Sequence, residues 1–407
     1  MLYRYPDYYA AFSCIADKCE ATCCAGWQIE IDDVSLASYK EQQLDKYVNY
    51  EDGSFSQDGE KNCAFLRPDL LCNMVLTMGE DALCDTCRLY PRHIEEFENV
   101  REYSLSISCP EVARIILSHQ QPVTYLERED DIQEDSEDYD PYEQEIYLIL
   151  REIRKRLFRV LAMRDISLEM RCGFILDTVW NFQNNLDQQD EEHVFDVDAF
   201  LENIDNMIIF LEGNIVENRS IAEAAGSIDD TEVKIDSGLY ESFSLGNYNN
   251  LDVLTFTMTK ELFDTQFQWE HLTKDWPVFL SEARDILYNC EHEKINQEFN
   301  QYIQQLDVPF TIQLEQIITY FLYTYFCGSA YDEYYYGQAK LTVVVAFQIK
   351  DLVIAKWQQQ GRKITQEDIC RIVYSYSREL EHSTSNVLLM EELLENIAEE
   401  MFNEADE

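Results

Sequence analysis

Nine of the 13 cysteines in this 407-residue chain fall before residue 110: Cys14, Cys19, Cys23, Cys24, Cys63, Cys72, Cys84, Cys87 and Cys109. Thiolates are soft donors, and a cluster of them suits zinc or an iron–sulfur cluster, with nothing in softness to choose between the two. The spacing is Cys14-x4-Cys19-x3-Cys23-Cys24, then Cys63-x8-Cys72, then Cys84-x2-Cys87 with Cys109 to follow. A Cys-x2-Cys pair can reach one metal from a tight turn, and separate loops can close a four-thiolate site. The adjacent Cys23 and Cys24 tend to diverge, so either one of them ligates while the other packs, or there are two sites. The candidate ligands are Cys19, Cys23, Cys24, Cys63, Cys72, Cys84, Cys87 and Cys109. With one Cys-x2-Cys the pattern is not a zinc ribbon. It is not the Cys-x3-Cys-x2-Cys of radical enzymes either, because Gly26 occupies the third position after Cys23. Just after Cys87 come Arg88, Arg92 and His93. The arginines are candidate binders of a cofactor carboxylate, which a guanidinium grips with two N–H groups. His93 could accept a proton or bind metal. The plainer role of all three is to balance thiolate charge or to pair with Glu95 and Glu96.

Composition narrows the chemistry. Lys plus Arg number 31 against 79 Asp plus Glu, a formal net charge of −48. Nucleic acid is excluded as a partner, since phosphate binding needs a basic surface. Such a field favours a cationic target, a lysine side chain for example. There are 12 glycines and no GxG, so neither the dinucleotide-binding turn nor the P-loop is written here. The opening MLYRYPDYYAAFSC has no apolar run fit for a signal peptide. The longest uncharged stretch, Gln316 to Tyr331, has 16 residues, short of the ~20 of a spanning helix. The expectation is a cytoplasmic protein without a transmembrane segment, whose thiols stay reduced and bind metal rather than pair as disulfides.

The elements expected to position these residues fall into three stretches. Residues 1–126 read as a small, irregular, cysteine-rich metal-binding unit with a few short strands. Strand signals are Trp27, Ile29 and Ile31, and Tyr103, Leu105 and Ile107, each alternating with polar residues. Residues 127–142 read as an acidic linker, since Glu127 to Asp140 holds nine acidic residues and one arginine. Residues 143–407 read as an all-helical region, and the fold class is mainly α. Apolar faces recur at helical spacing in 146–161, at Leu168–Leu186, at about Val197–Leu211, and again from Leu262 onward. Residues 213–250 are polar and weakly patterned, and read as loops. A basic patch of Arg151, Arg154, Lys155, Arg156 and Arg159 is placed opposite the apolar face of its helix. It would offset acidic surface, with peripheral binding to an anionic membrane as the other reading. The tyrosines of Tyr331-Asp-Glu-Tyr334-Tyr335-Tyr336 could hold a sulfonium or an alkylated lysine by cation–π attraction, though core packing is commoner.

Four segments give a family resemblance: CEATCCAGW at 19–27, CAFL at 63–66, LCDTCRLYPRH at 83–93 and REYSLSISCPE at 101–111. Together they resemble the flagellin lysine-N-methylase family and a wider group of zinc- or iron-chelating cysteine-cluster proteins. The resemblance is carried by residues 1–111; beyond them it rests on length and helical character. It implies a protein-lysine N-methyltransferase acting on flagellin, S-adenosylmethionine as methyl donor, and an iron–sulfur (4Fe-4S) cluster on the cysteines. Arg88 and Arg92 would then face the donor's carboxylate. Two rival readings use the same residues: a non-catalytic zinc- or iron-binding adaptor, and an iron–sulfur redox or carrier protein.

Overall fold

The computed structural model describes residues 1–190, 194–224 and 256–405, and among them it is mainly α-helical, with no strand after Glu129. Four strands form one sheet: β1 (Leu2–Pro6), β4 (Arg92–Phe97), β5 (Val100–Leu105) and β6 (Tyr125–Glu129), in the order β4-β5-β1-β6. β1 runs parallel to β5, with Arg4 opposite Glu102, and antiparallel to β6. A two-stranded ribbon, β2 (Val48–Asn49) with β3 (Ser54–Phe55), lies between β1 and β4 in the chain. So do short helices α1 (Asp33–Glu41), α2 (Asn73–Met78) and α3 (Asp85–Leu89). The cysteine-rich stretch is therefore an insertion between two strands of the sheet. Helix α4 (Pro110–Ser118) follows β5.

Ten helices complete the described chain: α5 (Pro141–Leu161), α6 (Leu168–Asp187), α7 (Val197–Ala224), α8 (Phe256–Thr265), α9 (Asp275–Tyr288), α10 (His292–Ile303), α11 (Phe310–Tyr325), α12 (Tyr335–Gln359), α13 (Gln366–Glu381) and α14 (Thr384–Ala405). α5 starts where Asp140 accepts from the Tyr142 and Glu143 N–H groups, with Pro141 in the first turn, both signals of a helix N-terminus. α11 and α12 are buried on almost every face and form the centre, as helices apolar all round must be. α7 runs on past Leu211 to Ala224, where loops were expected from residue 213. The reason is Ile215, which continues the buried Ile204, Ile208 and Leu211 stripe. Residues 225–250 of that stretch lie outside the described residues.

Two cores result. The larger joins the sheet, α4 and the C-terminal helices, from Tyr8 and Phe97 to Leu394. The smaller is made of Ile29, Ile31, Tyr39, Val48, Phe55, Phe65 and Met74 together with Cys24, Cys63 and Cys84. So few side chains bury little area, and a core of this size needs a staple.

Three sequence expectations are corrected by this packing. Residues 27–31 form no strand; they contribute only the isolated bridge between Glu30 and Ser54. In β5 the polar residues Glu102 and Ser104 point inward, while Tyr103 is half-exposed. Arg154 is the cause. It is buried, not on a solvated face, and donates to Glu102 Oε1 at 2.6 Å and to the Tyr323 carbonyl at 2.9 Å. Arg156 and Arg159 instead grip Asp205 and Glu212 of α7 with paired N–H groups. The tyrosine run packs. Tyr335 is fully buried, Tyr331 lies parallel to Phe97, and the Tyr334 ring covers Gly337, where any Cβ would collide with it. Of the acidic run, Glu127 pairs with Arg4 from within β6, and Glu134 pairs with Arg101.

Candidate functional site

The thiols gather around the small core. Cys72, Cys84 and Cys109 each occupy the residue before a helix, at the N-termini of α2, α3 and α4. Helix N–H groups there stabilise a thiolate. Cys24 hydrogen-bonds to both Cys23 and Cys72, and Cys84 to Cys87. The Cys24 bond draws the Cys23 thiol down to about 7, with help from Arg378, and the Cys72 thiol down to about 6. Cys24 itself is pushed far up by the same bonds and by burial, and Cys87 by its bond to Cys84. Cys63 is pushed up to about 11 by burial and also feels Cys72, Cys84 and Cys23. Cys109, also pushed up to about 11 by burial, interacts with Cys19 on the side nearer Arg378. Cys14 stands exposed and apart, and Cys172, Cys290, Cys327 and Cys370 belong to the helical region. Among the described residues no three His, Cys, Asp or Glu side chains stand in metal-binding geometry. The donors present are nonetheless those of a thiophilic centre: six interacting thiols, of which Cys23, Cys72 and Cys84 are drawn toward the thiolate.

Of the arginines expected to bind a cofactor, Arg88 follows Cys87 on α3 and Arg92 opens β4. Arg88 pairs with Asp85 one turn earlier on the exposed side of α3. Arg92 lies over the Phe12 ring, 5.4 Å from its centroid, and bonds to Tyr9. His93 meets Glu95 Oε2 at 3.1 Å.

A polar seam runs where the small core meets α13, and it escaped the sequence reading. Arg378 donates to the carbonyls of Ser108, Ala21 and Thr22 at 3.0, 3.2 and 3.1 Å, next to Cys109 and Cys23. His382 stacks on Trp27 at 4.6 Å between centroids, and Trp27 Nε1 donates to the Cys23 carbonyl. Burial and Arg378 hold His382 down at about 4, so the ring is neutral and bonds to Ser108 Oγ at 2.9 Å. Ser108 also meets the Tyr90 hydroxyl at 3.1 Å and Ser106 Oγ at 2.5 Å. Ser106 reaches Glu381 Oε2 at 3.5 Å. That carboxylate accepts from Tyr320 at 2.7 Å, from Tyr325 at 2.5 Å, and from Ser377. Burial pushes Glu381 up to about 7 against the pull of its donors and of His93. A helical-face signal was present in Arg378, Glu381 and His382, which share one face at spacings of three and four. Nothing local says that this face meets the cysteines, because the contact closes across more than 250 residues.

The residues from Arg154 to the end of α14 have a family counterpart: the FliB lysine N-methylase C-terminal domain matches residues 154–405. The chain belongs to the FliB lysine N-methylase family. The match takes in Glu381 and His382 of the seam and leaves out the cysteine segments. Among curated relatives, the chain is 32% identical over 127 residues to the Lysine-N-methylase of Salmonella typhimurium (strain LT2) and to that of Salmonella choleraesuis, covering 28% of this chain and 32% of each relative. The same identity and length hold for the Flagellar biosynthetic protein FliU of Salmonella muenchen, of which 75% is covered. The matched segment thus spans about a third of the two lysine-N-methylases. No solved structure matches the chain. No helix of the described residues is long and apolar enough to cross a membrane.

Proposed function

We propose that this protein transfers a methyl group from S-adenosylmethionine to lysine Nε of flagellin in the reducing cytoplasm. The match to the FliB lysine N-methylase C-terminal domain over 154–405 carries this reading, and the relative named as a flagellar biosynthetic protein agrees with the substrate. A lysine ammonium must lose a proton before it can attack a methyl group. From a pKa near 10.4 that costs about 4.6 kcal/mol at pH 7. The charge of −48 draws the cation toward the surface, and protein around a site lowers the cost by desolvation. The thiols of Cys23, Cys24, Cys63, Cys72, Cys84 and Cys87 would hold an iron–sulfur cluster, with Cys19 and Cys109 on the Arg378 side. When bound, such a cluster supplies an electron-transfer centre and also ties the loops together. Arg88 and Arg92 would receive the donor's carboxylate.

One observation favours a second reading, in which the metal is structural only. Cys24, Cys63 and Cys84 are themselves core residues of the small unit, so metal there could do no more than hold residues 23–87 in place. The test separates the two. Anaerobically purified protein is incubated with cognate flagellin, S-adenosylmethionine and reductant, and lysine methylation is read by mass spectrometry. Methylation that stops in metal-stripped but folded protein supports a chemical role for the metal. Methylation that continues gives it a structural one. No methylation by metal-replete protein overturns the proposal.

A further inference from the structure

The seam contains a carboxylate whose surroundings suit proton transfer better than structure. We propose that Glu381 is the proton acceptor for the target amine: a primary ammonium docks against Glu381 and Tyr325, and gives up its proton there. The proposal rests on the methyltransfer reading and deepens it.

Geometry is the first argument. Glu381 is the last residue of α13; the residue is half-buried, and its carboxylate is enclosed by Tyr320, Tyr325, Ser377 and Ser106. Tyr325, which closes one side of it, is also half-buried, whereas Tyr320 on the other side is fully buried. Of the two tyrosines Tyr325 is the nearer to the surface, so an amine would have to approach on its side, displacing the Tyr325 hydroxyl from Glu381. His93 lies there, 5.8 Å from the Tyr325 ring, with Glu95 behind it. A second carboxylate at that rim adds to the pull on a cation. Gly328 faces Glu95, and a Cβ there would come within 3.5 Å of its carboxyl.

Hydrogen bonding is the second argument. A purely structural glutamate at this seam needs only its tyrosine and serine donors. Here the donors continue as a chain, from Glu381 through Ser106 and Ser108 to the neutral His382. Hydroxyls pass protons in either direction, since each is both donor and acceptor. The chain ends on His382, which stacks on Trp27 beside Cys23 and stays neutral, so it orients the hydroxyls while a proton taken up remains on Glu381, the stronger base.

The step balances. An N–H bond of the lysine ammonium breaks and an O–H bond forms on the Glu381 carboxylate. The freed lone pair attacks the methyl carbon of a sulfonium donor. A new N–C bond forms, the C–S bond breaks, and the thioether leaves with that electron pair. The groups facing Glu381 are His93 from β4, Tyr320 and Tyr325 from α11, Ser106 after β5, and Ser377 on its own helix, with Glu95 bonded to His93. Burial lifts its basicity to near neutrality, the range in which a general base works.

The test uses the full chain with Glu381→Gln, which keeps the size of the side chain and removes the base. Two readouts are needed. In the first, binding of Nα-acetyl-lysine amide is compared with binding of the norleucine analogue, which lacks the charge. Wild type should prefer the lysine probe by about tenfold or more, the worth of a charge-assisted bond, and Glu381→Gln should lose that preference. In the second, methylation by Glu381→Gln should fall about 100-fold or more in kcat, with KM for flagellin little changed. Tyr325→Phe covers the case in which Glu381→Gln does not fold. Losing that donor raises the Glu381 pKa, so the acid limb of the kcat–pH profile should move up. A glutamine variant that keeps both its lysine preference and its rate, or an unmoved profile in Tyr325→Phe, overturns the proposal. Lysine preference that depends on Glu381 in a wild-type protein that methylates nothing would leave the amine site standing while the methyltransfer reading falls.

Discussion

Cys84 and Cys87 differ in burial and in proton affinity although only two residues separate them. Cys84 is wholly enclosed at the start of α3 and drawn toward the thiolate by its bond from Cys87. Replacing both with serine removes two soft donors from the middle of the small core. We expect Cys84→Ser with Cys87→Ser to lose most bound metal by elemental analysis, and to make residues 23–87 sensitive to proteolysis, because ligation there supplies folding energy. Cys290→Ser is the fitting control. Cys370 is not, since its thiol donates to the Pro110 carbonyl next to Cys109. Full metal content in the double variant would show that the ligands lie elsewhere. At this scale the sequence was legible where chemistry is written in residue type and spacing, as in the nine early cysteines. It marked Glu381 by no more than a helical face and Trp27 by no more than a strand signal, because their roles come from contacts between the cysteine segments and α13, hundreds of residues apart.

Among the elements, α5 shows what periodicity can and cannot reveal. Its apolar stripe was readable, and Ile146, Leu150, Ile153 and Leu157 are all buried. Arg154 was assigned to the opposite face by its charge. The backbone places it on the buried edge, where Glu102 of β5 and the Tyr323 carbonyl receive it. The same pair explains why the polar side of β5 faces inward, against the usual pattern of strands. Arg154 thus fixes how α5 sits on the sheet. Arg154→Ala leaves Glu102 with Arg4, at 3.6 Å, as its one cationic partner, beside the Tyr147 hydroxyl at 3.2 Å. The expected loss is about 3–5 kcal/mol in chemical denaturation. Changing both Arg154 and Glu102 to methionine should recover much of it, since a buried pair is worth little over well-packed apolar residues. A double variant no better than Arg154→Ala would argue that the pair gives more than mutual neutralisation.

For the whole molecule, acid response is set by carboxyls that burial holds up. Asp177 of α6 and Asp351 of α12 are both pushed up to about 7 by burial. A group whose pKa is raised on folding stabilises the fold below its unfolded value, and that stabilisation is lost as pH rises through the folded value. For these aspartates the window runs from about pH 4 to about pH 7. His382, held at about 4, acts in the opposite sense over part of that window. The prediction therefore concerns a difference. Asp177→Asn with Asp351→Asn should gain melting temperature relative to wild type as pH is raised from about 5.5 to about 7.5. Parallel curves for the two proteins would refute it. The placement of the cysteines between β1 and β4 also bears on how the protein is made. β1 leaves the ribosome first, yet its partner β5 comes nearly a hundred residues later. Arg378 and His382, which cover the thiol side, are later still. Arg378 comes 291 residues after Cys87, about 15–60 s of synthesis. During that interval the metal-binding loops stand open to whatever delivers iron or zinc. Loading is thereby favoured on the nascent chain, and protein made under metal starvation would close with the buried Cys24, Cys63 and Cys84 empty, which later supply reaches only slowly.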